Sequence, residues 1–166
     1  MLVTIFSDGS YDFHRKAGGW AVWLESEKGC LVHYGSCPEF VSCSNHAELF
    51  AIHMGVTLAY REWGDAIHSF LIRADSECAL RHVTKGPVQT RVRDREMLKI
   101  RSWLLDVFRK CGVQVLTEHV KGHQSPSLGY AFAMNNKVDK MAAKGRKSMT
   151  GQGFIRAHEA LEISSE

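Results

Sequence analysis

Apolar residues fall in short alternating or continuous runs before residue 44 and then switch to steps of three and four. The early runs, about 2–7, 18–25 and 29–37, are punctuated by Gly18-Gly19 and by a Glu27-Lys28-Gly29 turn, which predicts an antiparallel meander. From Ser44 to about Trp63, the residues Leu49, Ile52, Val56, Ala59 and Trp63 mark the buried face of a long helix. Ser44 is its expected N-cap and Gly64 its stop. A strand over 69–74 and a helix from Ser76 to about Thr84 follow, broken by Lys85-Gly86-Pro87. A second long helix is predicted over 92–110, with Met97, Ile100, Leu104, Val107 and Phe108 inward, then a strand over 113–119 and a short helix over 135–144. Trp103 is assigned to the core.

That order implies an α/β protein with a five-stranded mixed sheet, its first three strands antiparallel, flanked by helices. Residues 1–145 are expected to form one domain, with 146–166 a tail of unassigned role. The 124–134 segment, carrying Leu128, Tyr130, Phe132 and Met134, is expected to be a loop packed over the sheet edge.

Composition changes this picture little. The chain has 166 residues, 45% hydrophobic and 23% charged, which is ordinary for a water-soluble domain with a real core. No apolar run approaches the roughly 18 residues of a membrane span, and nothing at the amino terminus resembles a secretion signal. A cytoplasmic monomer is the expectation. The five cysteines are odd in number and lack a CxxC pair, which suits reduced thiols. Cys30, His33, Cys37 and Cys43 fall in a strand and the turn after it, where alternating faces prevent convergence on zinc.

Charge is more informative locally. Residues 81–110 hold nine basic side chains against three acidic ones, an excess of +6 in a chain whose total is +3. Arg91, Arg95 and Lys99 are four apart and would stripe one helix face, a candidate contact for phosphates.

Four acidic residues sit at unusual places. Asp8 and Asp75 end apolar strand-like runs, while Glu48 and Asp139 lie on predicted helices. Taken singly, each is equally a turn residue or a helix-terminal charge. Gathered together they would repel one another and resist ionising unless cations joined them. An all-oxygen site suits Mg²⁺ or Mn²⁺, and paired ions of that kind suit phosphodiester hydrolysis.

The order of motifs around these residues resembles the type 1 ribonuclease H family. Asp8-Gly9-Ser10 precedes Gly18-Gly19-Trp20; Ala47-Glu48-Leu49 and Ala74-Asp75-Ser76 follow, and His119-Val120-Lys121-Gly122-His123 leads to Asn135 and Asp139. The resemblance spans about residues 1–145. It implies an RNase H-like fold in which the first and fourth strands are adjacent and parallel. It also implies hydrolysis of the RNA strand of RNA–DNA hybrids with two Mg²⁺ ions (Mn²⁺ substituting), leaving 5′-phosphate and 3′-hydroxyl ends. Asp8, Glu48, Asp75 and Asp139 would be the metal ligands, and His123 a proton-moving or product-releasing auxiliary. His119 is assigned a structural role. Gly9, Ser10 and Asn45 would meet the hybrid minor groove.

The chain departs from the family pattern in three places. The segment after Asp75 is too short for a Trp-rich basic protrusion, Cys43-Ser44 replaces a Thr-Asn pair, and Glu77 stands where a glutamine is frequent. Two alternatives stay open: a hybrid- or duplex-RNA-binding module with little turnover, and a metal-dependent nuclease acting on another nucleic acid.

Overall fold

The computed structural model describes residues 1–84, 86, 88 and 95–148, and the backbone of 153–156. Six strands, β1 (Leu2–Asp12), β2 (Ala17–Ser26), β3 (Gly29–Ser36), β4 (Ser69–Ala74), β5 (Gln114–His119) and β6 (Gly153–Arg156), form one sheet in the order β5-β4-β1-β2-β3-β6. The helices are α1 (Ser44–Trp63), α2 (Glu77–His82), α3 (Arg95–Cys111) and α4 (Tyr130–Lys147). The expected five strands are present, with β1 to β3 antiparallel and β1, β4 and β5 parallel. Short β6 adds to the β3 edge antiparallel.

Strand alternation sends successive side chains to two cores. Val3 and Ile5 of β1 and Val22 and Leu24 of β2 meet Leu49, Ile52 and Val56 of α1 and Leu104 of α3 on one face. Phe6, Ala21, Trp23 and Val32 meet Met134, Val138, Met141 and Ala142 of α4 on the other. Each such Leu, Ile, Val or Phe contributes about 1.5–3 kcal/mol when fully removed from water. Buried Leu49, Ile52, Val56 and Ala59 on α1, and Met97, Ile100, Leu104 and Phe108 on α3, are the positions that helical spacing marked.

Four boundaries differ from the sequence expectation. β1 continues to Asp12, because its antiparallel pairing with β2 runs on to Asp12↔Ala17 after its parallel partner β4 has ended. Asp8 therefore lies inside a strand rather than at its end. Cys43, not Ser44, is the N-cap of α1; its backbone is extended and its side chain makes no capping bond. Ser76 instead caps α2, accepting the Ala79 N–H at 3.1 Å.

The segment expected as a loop to residue 134 becomes helix at Tyr130, after a 3₁₀ turn at Pro126–Leu128. Its N-cap is Gly129, so no Ser, Thr, Asp or Asn announces the start. Packing sets it instead: the Tyr130 ring meets Phe6 edge-on at 6.0 Å, and its hydroxyl donates to Glu25, which also accepts the Trp23 indole N–H at 2.9 Å. The residues 92–94 predicted to open α3 lie outside the described residues. Trp103 is not core: it is 39% exposed and rests edge-on against His53 at 4.5 Å.

Arg101 of α3 is turned inward. Its guanidinium donates to the carbonyls of Arg81, His82, Thr84 and Gly86 at 3.3, 3.1, 2.9 and 2.6 Å. It thereby closes the carboxyl end of α2, whose last carbonyls have no partner within the helix. A planar five-donor fork suits this and an ammonium does not. Arg101→Lys is expected to cost about 2 kcal/mol, since hydrogen bonds to a charged group are lost with charge retained. Thermal unfolding should then show a Tm lower by about 4–8 °C.

Candidate active site

The β1–β4 pairing ends at Phe6↔Arg73. Asp8 and Asp75 each lie two residues further on, so the parallel register delivers both carboxylates to the same end of the sheet. This is the edge where α/β sheets place their ligands. Glu48 arrives from the first turns of α1, which lies almost on the β1 backbone. A Cβ at Gly9 would sit 2.3 Å from the Ala47 carbonyl carbon and the Glu48 nitrogen, so only glycine permits this approach. The Gly9 N–H donates to the Glu48 carboxylate.

Oxygens of Asp8, Glu48 and Asp75 come within 4.8 Å of one another, the group among the described residues that is spaced to hold a metal ion. Asp8 is 2% exposed and Glu48 8%. Burial, and then the charges of Glu48, Asp75 and Asp139, push Asp8 up to about 11. Glu48 is held well above the usual carboxylate range by burial and by Asp75. Asp75 is raised by burial and by Asp139, partly offset by a hydrogen bond from Asp8 and by the charge of His123. Asp139, on α4, stands outside the triangle, yet its charge acts on all three members.

A metal ion fits this donor set. Glu48 Oε2 is buried and has no hydrogen-bond partner, and every available donor is a carboxylate oxygen. Such a set suits Mg²⁺ or Mn²⁺ and disfavours zinc, which prefers nitrogen and sulfur.

The His123 loop is pinned from both sides. The Val120 N–H donates to the Ala74 carbonyl at 2.9 Å, Gln124 Nε2 to the Gly122 carbonyl at 3.2 Å, and Asn136 Nδ2 of α4 to the Gln124 carbonyl at 2.8 Å. His123 takes a left-handed φ of 56°, uncommon for a residue with a side chain. Gly122 presses on the site itself: a Cβ there would lie 2.6 Å from Asp75 Oδ2. This contact was hidden in Lys121-Gly122-His123, since only the fold shows what the glycine faces. His119 Nε2 lies 3.0 Å from the Asp75 carbonyl oxygen, tying the end of β5 to the backbone beside the site.

Around the cluster, Gly9 and Ser10 are half-buried on β1, and Asn45 is exposed on the first turn of α1. Glu77 is exposed and lies 3.4 Å from Arg81 and 3.7 Å from His119. The predicted basic stripe is altered. Arg91 lies outside the described residues; Arg95 and Lys99 are exposed on the first turns of α3, and Lys99 is paired with Glu96 at 2.7 Å. Arg109 and Lys110 both engage Asp106 at 2.7 Å, and Arg101 is spent on backbone carbonyls. Glu96 and Asp106 are already counted in the +6, so these pairings fix where the cations point and leave the excess in place.

The fold is shared with solved structures. RNase H1 from the halophilic archaeon Halobacterium salinarum is 17% identical with a TM-score of 0.63, covering 87% of this chain and 97% of its own. The N-terminal RNase H domain of a Mycobacterium tuberculosis protein is 14% identical with a TM-score of 0.63, covering 88% and 99%. LC11-RNase H1, isolated from compost and solved in complex with an RNA/DNA hybrid, is 16% identical with a TM-score of 0.57, covering 87% and 96%. A search of the curated proteins found no match. The family model for RNase H matches residues 2–147, nearly the whole described chain, and with it the chain belongs to the RNase H family of hydrolases.

Proposed function

We propose that the protein is an endonuclease that hydrolyses the RNA strand of RNA–DNA hybrids in a metal-dependent reaction. The observation carrying this reading is the buried Asp8–Glu48–Asp75 triangle with its orphaned Glu48 oxygen, in a chain of the RNase H family. The hybrid bound by LC11-RNase H1 supports the choice of substrate. Asp8, central to the cluster, would hold the Mg²⁺ or Mn²⁺ ions together with Glu48, Asp75 and Asp139. When bound, the ions supply an activated water and stabilise charge on the departing 3′ oxygen, leaving 5′-phosphate and 3′-hydroxyl ends.

The chain's own residues do the rest. Gly9 N–H and the Gly9–Ala47 contact hold Glu48 in place, and Gly122 fixes one side of Asp75. His123, whose charge acts on Asp75 from a pinned loop, would move protons at its imidazole or help release product. Gly9, Ser10 and Asn45 border the cluster on the side where a hybrid minor groove would expose 2′-hydroxyls.

Three measurements test this. End-labelled hybrid, RNA duplex and DNA duplex are incubated with Mg²⁺, Mn²⁺ or EDTA; only hybrid RNA should be cut, and EDTA should abolish cutting. Asp8→Asn should lower the rate at least about 10³-fold while the protein stays folded. Equal cutting by Asp8→Asn would refute the assignment, and hybrid binding without cutting under either metal would favour a binding module.

The second is a pH titration of the metal-free protein. An acid raised in the folded state holds its proton there after the unfolded chain has lost it, so stability falls as pH rises from near 3.8 towards about 11 for Asp8. Tm should decline with pH over that window, and the decline should shrink in Asp8→Asn and when Mg²⁺ is added.

The third is Gly122→Ala. Its methyl must displace the Asp75 carboxylate, so calorimetry should show Mg²⁺ affinity reduced about 10–100-fold, a loss of the size seen when groups supporting metal ligands are changed. Unchanged affinity would remove Gly122 from the site.

A further inference from the structure

The edge of the sheet opposite β6 is bare on both faces and along its outer side. Strands in a parallel pairing are normally covered on both faces, yet five of the six residues of β5 are exposed and Val115 is half-buried. Leu116, which lies across from half-buried Leu71 of β4, is itself 50% exposed. An unguarded edge invites another strand, and proteins defend theirs with lysine, proline, a bulge or a covering segment. β5 has no lysine or proline, and its register with β4 runs unbroken from Gln114 to His119. Its single formal charge, Glu118, is held by Arg73 at 2.9 Å. Among the described residues nothing pairs with its outer side.

The backbone register identifies the groups on that side. The Gln114 N–H donates inward to the His68 carbonyl at 3.1 Å, and the Val120 N–H to the Ala74 carbonyl at 2.9 Å. Inward- and outward-bonding residues alternate along a strand, so Val115, Thr117 and His119 turn their N–H and C=O groups outward. An antiparallel partner must match these groups with its own and keep its side chains on the proper faces. A second β5 does both when a two-fold axis passes at Leu116. Val115 and the second copy's Thr117 then exchange N–H···O bonds, Leu116 meets Leu116, and Glu118 lies beside the second copy's Gln114. Moving the axis to Val115 or Thr117 keeps the bonds but sets Leu116 against Gln114 or Glu118. The ends are complementary as well. Glu77, exposed and 3.7 Å from His119, comes opposite the end of α3, where Arg109 and Lys110 outnumber Asp106.

We infer that β5 is a self-association edge, through which two copies of the chain join as antiparallel strands with Leu116 on the axis. The two sheets become one. Because the axis stands perpendicular to the sheet, both α4 helices lie on the same side of it. The carboxylate clusters, at the carboxyl ends of β1 and β4, fall at opposite ends of the joint. The inference asks nothing of those carboxylates and goes beyond the nuclease reading. A pair of six-residue strands is a small interface, so association is weak and set by concentration.

The test is sedimentation equilibrium of the full chain from about 1 to about 300 µM, the range suited to so small an interface. The mass should rise from 18.7 kDa towards twice that value. Leu116→Lys sets like charges face to face at the axis, and Thr117→Pro removes an outward N–H that no bond within the sheet uses. Each should weaken association at least about tenfold, with a Tm close to the parent's to show that folding is intact. Leu116→Cys, in a chain also carrying Cys30→Ser and Cys111→Ser, checks the register. Opposed residues of a non-hydrogen-bonded pair lie about 4.5 Å apart, within reach of a disulfide. Mild oxidation should link that variant into dimers, while Gln114→Cys on the same background should stay unlinked. A monomer at every concentration would overturn the inference, as would a dimer that both Leu116→Lys and Thr117→Pro leave unchanged. So would equal linking by Gln114→Cys and Leu116→Cys. Slow amide exchange at Thr117 and His119 that dilution does not speed would also overturn it, because a segment of the same chain would then cover the edge.

Discussion

Mutual repulsion among Asp8, Glu48 and Asp75 is the constraint around which this molecule is arranged. Three carboxylates with oxygens within 4.8 Å, two of them almost wholly buried, cannot all ionise without an external positive charge. A protein selected only for stability would replace such a group with apolar side chains of similar volume. Burial and the neighbouring carboxylates are the largest influences on all three carboxyls, and the charge of His123 offsets them in part at Asp75. The uncompensated charge is what makes the site receptive to divalent cations.

The surrounding structure has the task of holding these groups against their repulsion. Parallel β1 and β4 bring Asp8 and Asp75 into line, and the missing side chain of Gly9 lets α1 approach close enough for Glu48 to join them. The far side is fixed by α4. Its first residue, Tyr130, is clasped between Phe6 and Glu25, and Arg73 lies over the other side of the same region, 5.4 Å from the Phe6 ring centre and 2.9 Å from Glu118. That clasp sets where Asp139 falls two and a half turns later. The loop bearing His123 is bonded to both β4 and α4, so His123 and the carboxylates share one rigid frame.

Sequence patterning revealed the parts governed by local physics. Apolar alternation and helical spacing located the five principal strands and the buried faces of α1 and α3, and the breaks after strand-like runs singled out Asp8 and Asp75. What escaped depended on contacts between distant segments. The extension of β1 follows from its pairing with β2, and the early start of α4 from packing on Phe6, where Gly129 supplies no capping signal. Gly122 carried no mark of its contact with Asp75, because a glycine's purpose lies in what approaches it. Trp103 looked like core by composition, yet α3 turns it towards His53 and solvent.

Charge was the hardest property to read from sequence, and the reason bears on how a polyanion would be held. Counting cations between residues 81 and 110 suggested one broad basic stripe, but proximity in sequence also places acids within reach. Glu96 takes Lys99, Asp106 takes both Arg109 and Lys110, and the carbonyls ending α2 take Arg101. A cation already paired releases fewer counterions when it meets a phosphate, so its contribution to affinity is smaller than its formal charge implies. Asp12 at the β1–β2 turn does the same for Arg15, 4.0 Å away, while it accepts the N–H groups of His14 and Arg15. The useful measure for a nucleic-acid surface is therefore the charge left unpaired and aimed outward. On α3 the five basic residues Arg95, Lys99, Arg101, Arg109 and Lys110 stand against Glu96 and Asp106, so the helix stays net positive after its pairings.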